Sequence, residues 1–479
     1  MRITLSANAG LPESGTAVVV QNGARLDQPD LIRANEASGD ALARAVAAGG
    51  FEGKSGQMLM IPSPAGTTLD RLLLVGADGA KTAKDVRRIG AKIAIHADIV
   101  AAGKIKLIAG AHALDVARGL ALRTYRFDRH KTAAPGKMLA EVELSGDVSA
   151  DALAAMMIEV EAVHFARDLI NEPANILTPA EMADRIAEAG RKAGLDVTIL
   201  DEKTLLRKGF GMVLGVGQGS VNPPRVVVMR LGEPGEAPLA LIGKGVTFDT
   251  GGINVKPVLG MWEMKGDMAG AATVAGAMLA LARQKHPGPV IAVLGLAENM
   301  TGGSALRPGD ILRSLSGKTV EVRNTDCEGR LLLADCMTYA QRELGADTVI
   351  DLATLTYAVQ IGLGTRYAGI YGNNPALTDA LMGASGKVGE LAWPMPIDEG
   401  FHAELASEFA DLLNWPGVTY GNASIAAAFL EEFVEDGVAW GHIDIAGPAY
   451  AAAGTDFSPP GGTGYGVDLL VNYVRDHVG

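Results

Sequence analysis

The chain has 479 residues, 48% hydrophobic and 20% charged, with 61 glycines, 5% aromatics and a formal net charge of -13 at pH 7. That length puts two domains ahead of one, and the acidic balance excludes a general attraction to nucleic acid or anionic lipid. Two cysteines, Cys327 and Cys336, exclude a disulfide framework; with no secretion segment at the start and no membrane-length apolar run, a cytoplasmic location is expected.

Residues 1–146 read as a first α/β unit. Short apolar runs at 16–20, 57–61 and 72–75 predict strands, 86–102 has helical periodicity, 104–109 predicts a strand and 112–123 a helix. No Gly-rich phosphate loop and no cluster of metal-ligating side chains occurs here, so a structural or assembly domain over 1–150 is expected. Apolar residues Leu153, Met156, Met157, Val160, Val163 and Ala166 then recur at helical spacing until Pro173. This connecting helix is taken as 151–172. From 173 to 479 the pattern alternates. Thr178-Pro179-Ala180-Glu181 starts a helix to about Lys192. Strands are predicted at 197–200, 226–231, 239–243, 289–294, 319–324 and 348–352, with helical stretches between several of them. The expected fold is therefore α/β with two domains, the larger built on a mostly parallel central sheet covered by helices.

Two charged clusters stand at predicted strand ends. One is Asn324-Thr325-Asp326-Cys327-Glu328-Gly329-Arg330-Leu331, after an alternating apolar run and before a helical one. Residues i, i+2 and i+4 of an extended segment point the same way, so Asp326, Glu328 and Arg330 would face one cleft. The other runs from Lys244 through Asp249 and Lys256 to Asp267, which opens a small-residue helix over 269–281. It is not a phosphate-binding loop, because the glycine spacing is wrong and no Ser or Thr follows Lys244. If the two strands are neighbours, four acids and three bases converge. Four carboxylates together repel, and divalent metals in an oxygen-rich site relieve this: Mg²⁺, Mn²⁺ or, with nitrogen help, Zn²⁺. Two such ions about 3.5–4 Å apart would also activate a water. The competing reading is a structural ion-pair network.

These residues resemble the leucyl (cytosol) aminopeptidase family, peptidase family M17. The 324–331 octapeptide looks like its signature, with Cys327 where the family usually has Ala. The Lys244–Lys256 stretch, 264–272, Ala297-Glu298-Asn299-Met300, Arg307-Pro308-Gly309-Asp310 and His442-Ile443-Asp444-Ile445-Ala446-Gly447-Pro448 match in order and spacing. The resemblance implies one divalent ion (Mn²⁺ or Zn²⁺) on Asp249, Asp326 and Glu328, and a second on Lys244, Asp249, Asp267 and Glu328. It also implies that Lys256 polarises the scissile carbonyl and that Arg330 holds a bicarbonate, the general base for a metal-bridging hydroxide. Asn324, Thr354, Tyr357 and Met264 would contact substrate. The implied activity is removal of the N-terminal residue from peptides by a homohexamer.

The chain departs from the family at Tyr357, which stands where a Gly is usual in the segment lining the pocket for the substrate's first residue. Its ring either narrows that pocket or turns aside and packs. Residues 422–425 also differ. A non-catalytic assembly or DNA-binding protein on the same fold is the main alternative, opposed by the acidic charge and the intact seven-residue set. A phosphate-ester hydrolase is opposed by the Lys ligand and the absence of His ligands.

Overall fold

Continuous apolar runs become strands buried on both faces, and alternating ones do not; this distinction sorts most of the chain. In the computed structural model, which describes residues 1–133, 136, 138–232 and 238–478, the chain forms two compact units. They comprise Met1–Val160 with Ala453–Pro459, and Glu161–Ala452 with Pro460–Gly479.

The first unit contains strands β1 (Arg2–Leu5), β2 (Thr16–Gln21), β3 (Met58–Pro62), β4 (Arg71–Gly76), β5 (Lys104–Gly110) and β6 (Glu141–Gly146). Their order is β1-β6-β5-β2-β4-β3, and only the β3–β4 pair is antiparallel. Helices α1 (Pro29–Ala37), α2 (Ala41–Ala48), α3 (Ala83–Ile99) and α4 (Ala113–Arg123) complete it. Thr82 and Asp85 form a reciprocal capping box at the start of α3. Ala17, Val19, Leu31, Leu72 and Leu74 form part of the core. Elements β1, β6, α1 and α2 are not among those expected from the sequence; β1 has only four residues and is largely exposed.

Helix α5 (Ala150–Asn171) carries the chain into the second unit, followed by α6 (Pro179–Lys192), where the Thr178 hydroxyl accepts the Glu181 N–H at 3.3 Å. Then come β7 (Asp196–Leu200), α7 (Glu202–Lys208), α8 (Gly211–Gly217), β8 (Arg225–Leu231), β9 (Leu239–Asp249), α9 (Ala269–Arg283), β10 (Val290–Asn299), β11 (Ile311–Arg313), β12 (Thr319–Glu321), α10 (Glu328–Arg342), β13 (Thr348–Ala353), α11 (Tyr357–Leu363), β14 (Ala368–Gly372), β15 (Ala392–Pro394), β16 (Leu412–Leu413) and β17 (Ala439–Asp444). The main sheet runs β15-β14-β17-β13-β9-β10-β8-β7. Its centre, β17-β13-β9-β10, is parallel.

Strand β9 outlasts one neighbour. It pairs with β13 only as far as Gly243, and with β10 as far as Asp249, opposite Asn299. The sheet therefore splays beyond Gly243 at the carboxyl ends of its parallel strands, where open α/β sheets place their sites. Among the described residues, no helix is long and apolar enough to cross a membrane.

One expectation is corrected. The segment 319–324 is not a neighbour of β9 and does not join the main sheet. Only Thr319–Glu321 is strand, and it pairs with β11 and β16 in a separate three-stranded sheet. Its Thr-Val-Glu-Val-Arg alternation suits a half-buried strand, whereas β9 needs the unbroken apolar run Leu239-Ala240-Leu241-Ile242.

Candidate metal centre

The two charged clusters meet without neighbouring strands. Helix α10 lies against β9 and β10, and its first residue is Glu328. Asp335, fully buried on the same helix, accepts N–H groups from Met212 (2.9 Å), Val213 (3.1 Å) and Leu315 (2.7 Å), which fixes the helix lengthwise. Lys244 rises from β9 toward the start of α10. It passes Gly329 so closely that a Cβ there would lie 2.6 Å from Lys244 Cε. Gly251 (φ +85°) turns the chain back after Asp249; a Cβ there would lie 2.9 Å from Asp326 Oδ1.

Seven predicted residues are brought into this region, though not all as expected. Lys244 Nζ lies 2.8 Å from Asp267 Oδ2 and 2.9 Å from Glu328 Oε1, and donates to the Thr354 carbonyl at 2.8 Å. Lys256 Nζ lies 2.8 Å from Asp249 Oδ2 and 2.5 Å from Asp326 Oδ1. Oxygens of Asp249, Asp326 and Glu328 fall within 4.8 Å of one another. Arg330 is the exception to the common cleft. Residues 328–330 are helical rather than extended, and Arg330 makes no ion pair with the acids among the described residues; its Nη1 donates to the Asn414 carbonyl at 2.7 Å.

Burial decides the electrostatics. Lys244 and Glu328 are each 2% exposed. Burial, with Asp249 and Glu328 beside it, pushes the Asp326 carboxyl up to about 7. Asp267 is pushed up to about 8 by burial despite the Lys244 ammonium. Burial alone would lower both lysines, but the surrounding carboxylates outweigh it and hold them above the ordinary lysine range. Burial pushes the Cys327 thiol up to about 11, so it stays neutral at pH 7.

The donor set fits divalent cations. Three carboxylates converge in a buried place, and Glu328 Oε2 is buried with no hydrogen-bond partner. Arg330 likewise has a buried Nε with no partner, a donor suited to an anion.

Of the predicted substrate contacts, Thr354 and Asn324 bond to members of this cluster. The Thr354 hydroxyl donates to Asp267 Oδ1 at 2.7 Å. Asn324 Oδ1 accepts the Asp326 N–H at 2.9 Å, shaping the turn into α10. Met264 is half-buried in the 3₁₀ turn Met261–Gly266, just before Asp267. Tyr357 begins α11 and is 75% exposed, so its ring neither packs into the core nor is buried by this chain.

These groups are held by residues to which the sequence assigned no role. Asn414 Oδ1 accepts the N–H of Arg323 (2.8 Å) and Asn324 (3.3 Å), and its amide donates to the Asn324 carbonyl at 2.6 Å. Asp444 accepts the N–H of Leu355 and Thr356, both at 3.1 Å, fixing the segment that carries Thr354. Asn254 and Thr325 clasp each other: Thr325 N–H donates to Asn254 Oδ1 and Asn254 N–H to Thr325 Oγ1, both at 2.9 Å. The available signal was a polar residue closing an apolar run, as Asp444 does.

Comparison with known proteins agrees with this geometry. The sequence profile of the cytosol aminopeptidase family, catalytic domain, matches residues 164–471, and that of the family's N-terminal domain matches 17–134. A probable cytosol aminopeptidase of Afipia carboxidovorans is 43% identical over 459 residues, covering 92% of this chain and 91% of its own. One from Caulobacter vibrioides is 42% identical over 476 residues, covering 96% of each. Among solved structures, the bottromycin maturation enzyme BotP in complex with Mn superposes with a TM-score of 0.86 at 36% identity, over 97% of this chain and 99% of that one. With both domains matched and relatives aligned across nearly its whole length, the chain belongs to the cytosol aminopeptidase family and is a metallo-aminopeptidase.

Proposed function

We propose that the enzyme releases the N-terminal residue of peptides at the centre formed by Lys244, Asp249, Asp267, Asp326 and Glu328. The observation that carries this is the convergence of three carboxylates within 4.8 Å, with two lysines on them. Asp249, Asp326 and Glu328 would hold one divalent ion, and Asp249, Asp267, Glu328 and Lys244 the other, Lys244 as the neutral amine that nearby dications favour in place of the ammonium of the metal-free centre. BotP was solved in complex with Mn, which makes Mn²⁺ the first ion to test, with Zn²⁺ second. When bound, the two ions supply Lewis acidity for the scissile carbonyl and lower the pKa of a water.

The chain's own groups do the rest. Lys256, partly exposed on the loop after β9, presents an ammonium where negative charge grows on the carbonyl oxygen. Arg330, two residues after Glu328 and without an ion-pair partner among the described residues, keeps a donor for bicarbonate, which would take the proton from the attacking water. Thr354 steadies Asp267. Met264, Asn324 and the exposed Tyr357 would contact the substrate's first residue. The 1–150 domain is read as structural, serving assembly of a homohexamer; light scattering of the purified protein tests that.

Changing Glu328→Ala should abolish both tight Mn²⁺ binding and release of an amino acid from a dipeptide. Full activity with full metal content in that variant would refute the assignment.

A further inference from the structure

Asn299 closes β10 as the register partner of Asp249, and it is 3% exposed. Its amide nitrogen donates to Asp249 Oδ1 at 2.8 Å and to the Thr325 carbonyl at 3.0 Å. Neither acceptor can donate, so the nitrogen of the amide, not its oxygen, must face them. The Asn299 carbonyl accepts the Thr250 N–H at 3.0 Å and the Thr250 hydroxyl at 2.9 Å. Gly251 N–H adds a second donor to Asp249 Oδ1 at 2.8 Å. Oδ1 is thereby occupied, and Oδ2 is the oxygen turned toward Lys256, at 2.8 Å.

The same amide reaches both halves of the centre. Asp249 belongs to β9, while Thr325 immediately precedes Asp326 on the way into α10. We propose that Asn299 is a positioning residue that clamps these halves together, fixing the rotation of the Asp249 carboxylate and the distance from it to Asp326 and Glu328. The proposal rests on the reading of Asp249 as a metal ligand shared by two ions. Its chemistry is that of an outer partner orienting a ligating carboxylate, a role whose removal typically weakens metal binding by ~10–100-fold.

The test measures Mn²⁺ affinity of the full-length, chelator-stripped protein by competition with a fluorescent chelator. Asn299→Ala removes the clamp, and Asn299→Leu removes the donor while filling most of the volume. Both should bind Mn²⁺ ~10–100-fold more weakly than the parent. Asn373→Ala is the structural control: the Asn373 amide bridges two backbone groups, Trp440 N–H (2.8 Å) and the Val438 carbonyl (3.0 Å), and bonds to no carboxylate among the described residues. It should lower the melting temperature and leave Mn²⁺ affinity unchanged. A folded Asn299→Leu protein with parental Mn²⁺ affinity, beside an Asp249→Asn protein that has lost a site, overturns the clamp alone. An Asp249→Asn protein that binds Mn²⁺ as the parent does overturns the metal assignment as well.

Discussion

Lys244→Met in the metal-stripped protein is the most direct probe of how the centre is held together. The ammonium is 2% exposed and lies within 2.9 Å of carboxylates from Asp267 and Glu328. Methionine approximates the stem and removes the charge, leaving those acids and Asp249 buried and facing one another. Breaking a buried ion pair from one side costs about 3–5 kcal/mol, because the remaining charge is uncompensated. At roughly 2 °C per kcal/mol for a large unit, the melting temperature should fall by about 6–10 °C. All four tryptophans, Trp262, Trp393, Trp415 and Trp440, lie in the catalytic unit, so intrinsic fluorescence reports its unfolding. The loss should also depend on pH. Asp267 and Asp326 already sit at about 8 and 7 in the parent, above their unfolded value. An acid raised in the folded state holds a proton that the unfolded chain has released, so stability falls as pH rises toward the folded value. Removing Lys244 raises these acids further and steepens that fall. The variant should lose less at pH 6, where the acids are protonated, than at pH 8.5. Equal melting of parent and variant at both pH values would refute the role of Lys244 as the counter-charge.

Three further outcomes are expected. Tyr357→Gly should broaden activity toward larger N-terminal side chains on a panel of aminoacyl chromogens; an unchanged profile would show that the exposed ring does not bound the pocket. Arg330→Met should lower kcat by roughly 10²–10³ while leaving Mn²⁺ content intact, the scale seen when one electrostatic stabiliser is lost; added bicarbonate should accelerate the parent in CO₂-depleted buffer and not the variant. His442, fully buried with Nδ1 2.6 Å from Asp351 Oδ1, is held above its ordinary value: burial would lower it, but the Asp351 carboxylate outweighs that. Its stabilising effect is complete below about pH 6.5 and is lost as pH rises through the raised folded value. Urea unfolding of the neutral pair His442→Asn/Asp351→Asn should lack that decline, and parallel profiles would count against it.

What the sequence made legible was whatever local chemistry forces. Long periodic runs such as 151–170 can only pay for burial as helices. Acids beside glycines at the end of an apolar run marked Asp249 and Asp326 before any geometry was known. The partners of these groups were hidden because they come from far along the chain. Asn414 meets Arg330 across 84 residues through the packing of a helix against a distant loop, and Asn299 meets Asp249 across 50 through sheet register, neither through any local pattern. Strand β12 joins β11 and β16 rather than the main sheet for the same reason: its alternating period is legible, but three residues cannot declare which sheet they join.

The onset of α10 at Glu328 changes what the octapeptide does. In an extended segment Asp326, Glu328 and Arg330 would share one face, and the guanidinium would neutralise the acids. On a helix, residues two apart diverge by about 200°. Glu328 therefore turns to Lys244, and Arg330 turns to the Asn414 carbonyl, making no ion pair among the described residues. Neutralising the acids falls to Lys244 and Lys256, both delivered by β9 and the loop after it. A guanidinium relieved of that duty, buried at 2% exposure with Nε unpartnered, is costly unless an anion meets it. The helix start thus separates, within three residues, a carboxylate aimed at the proposed metal centre from a guanidinium whose unpartnered Nε suits the proposed anion.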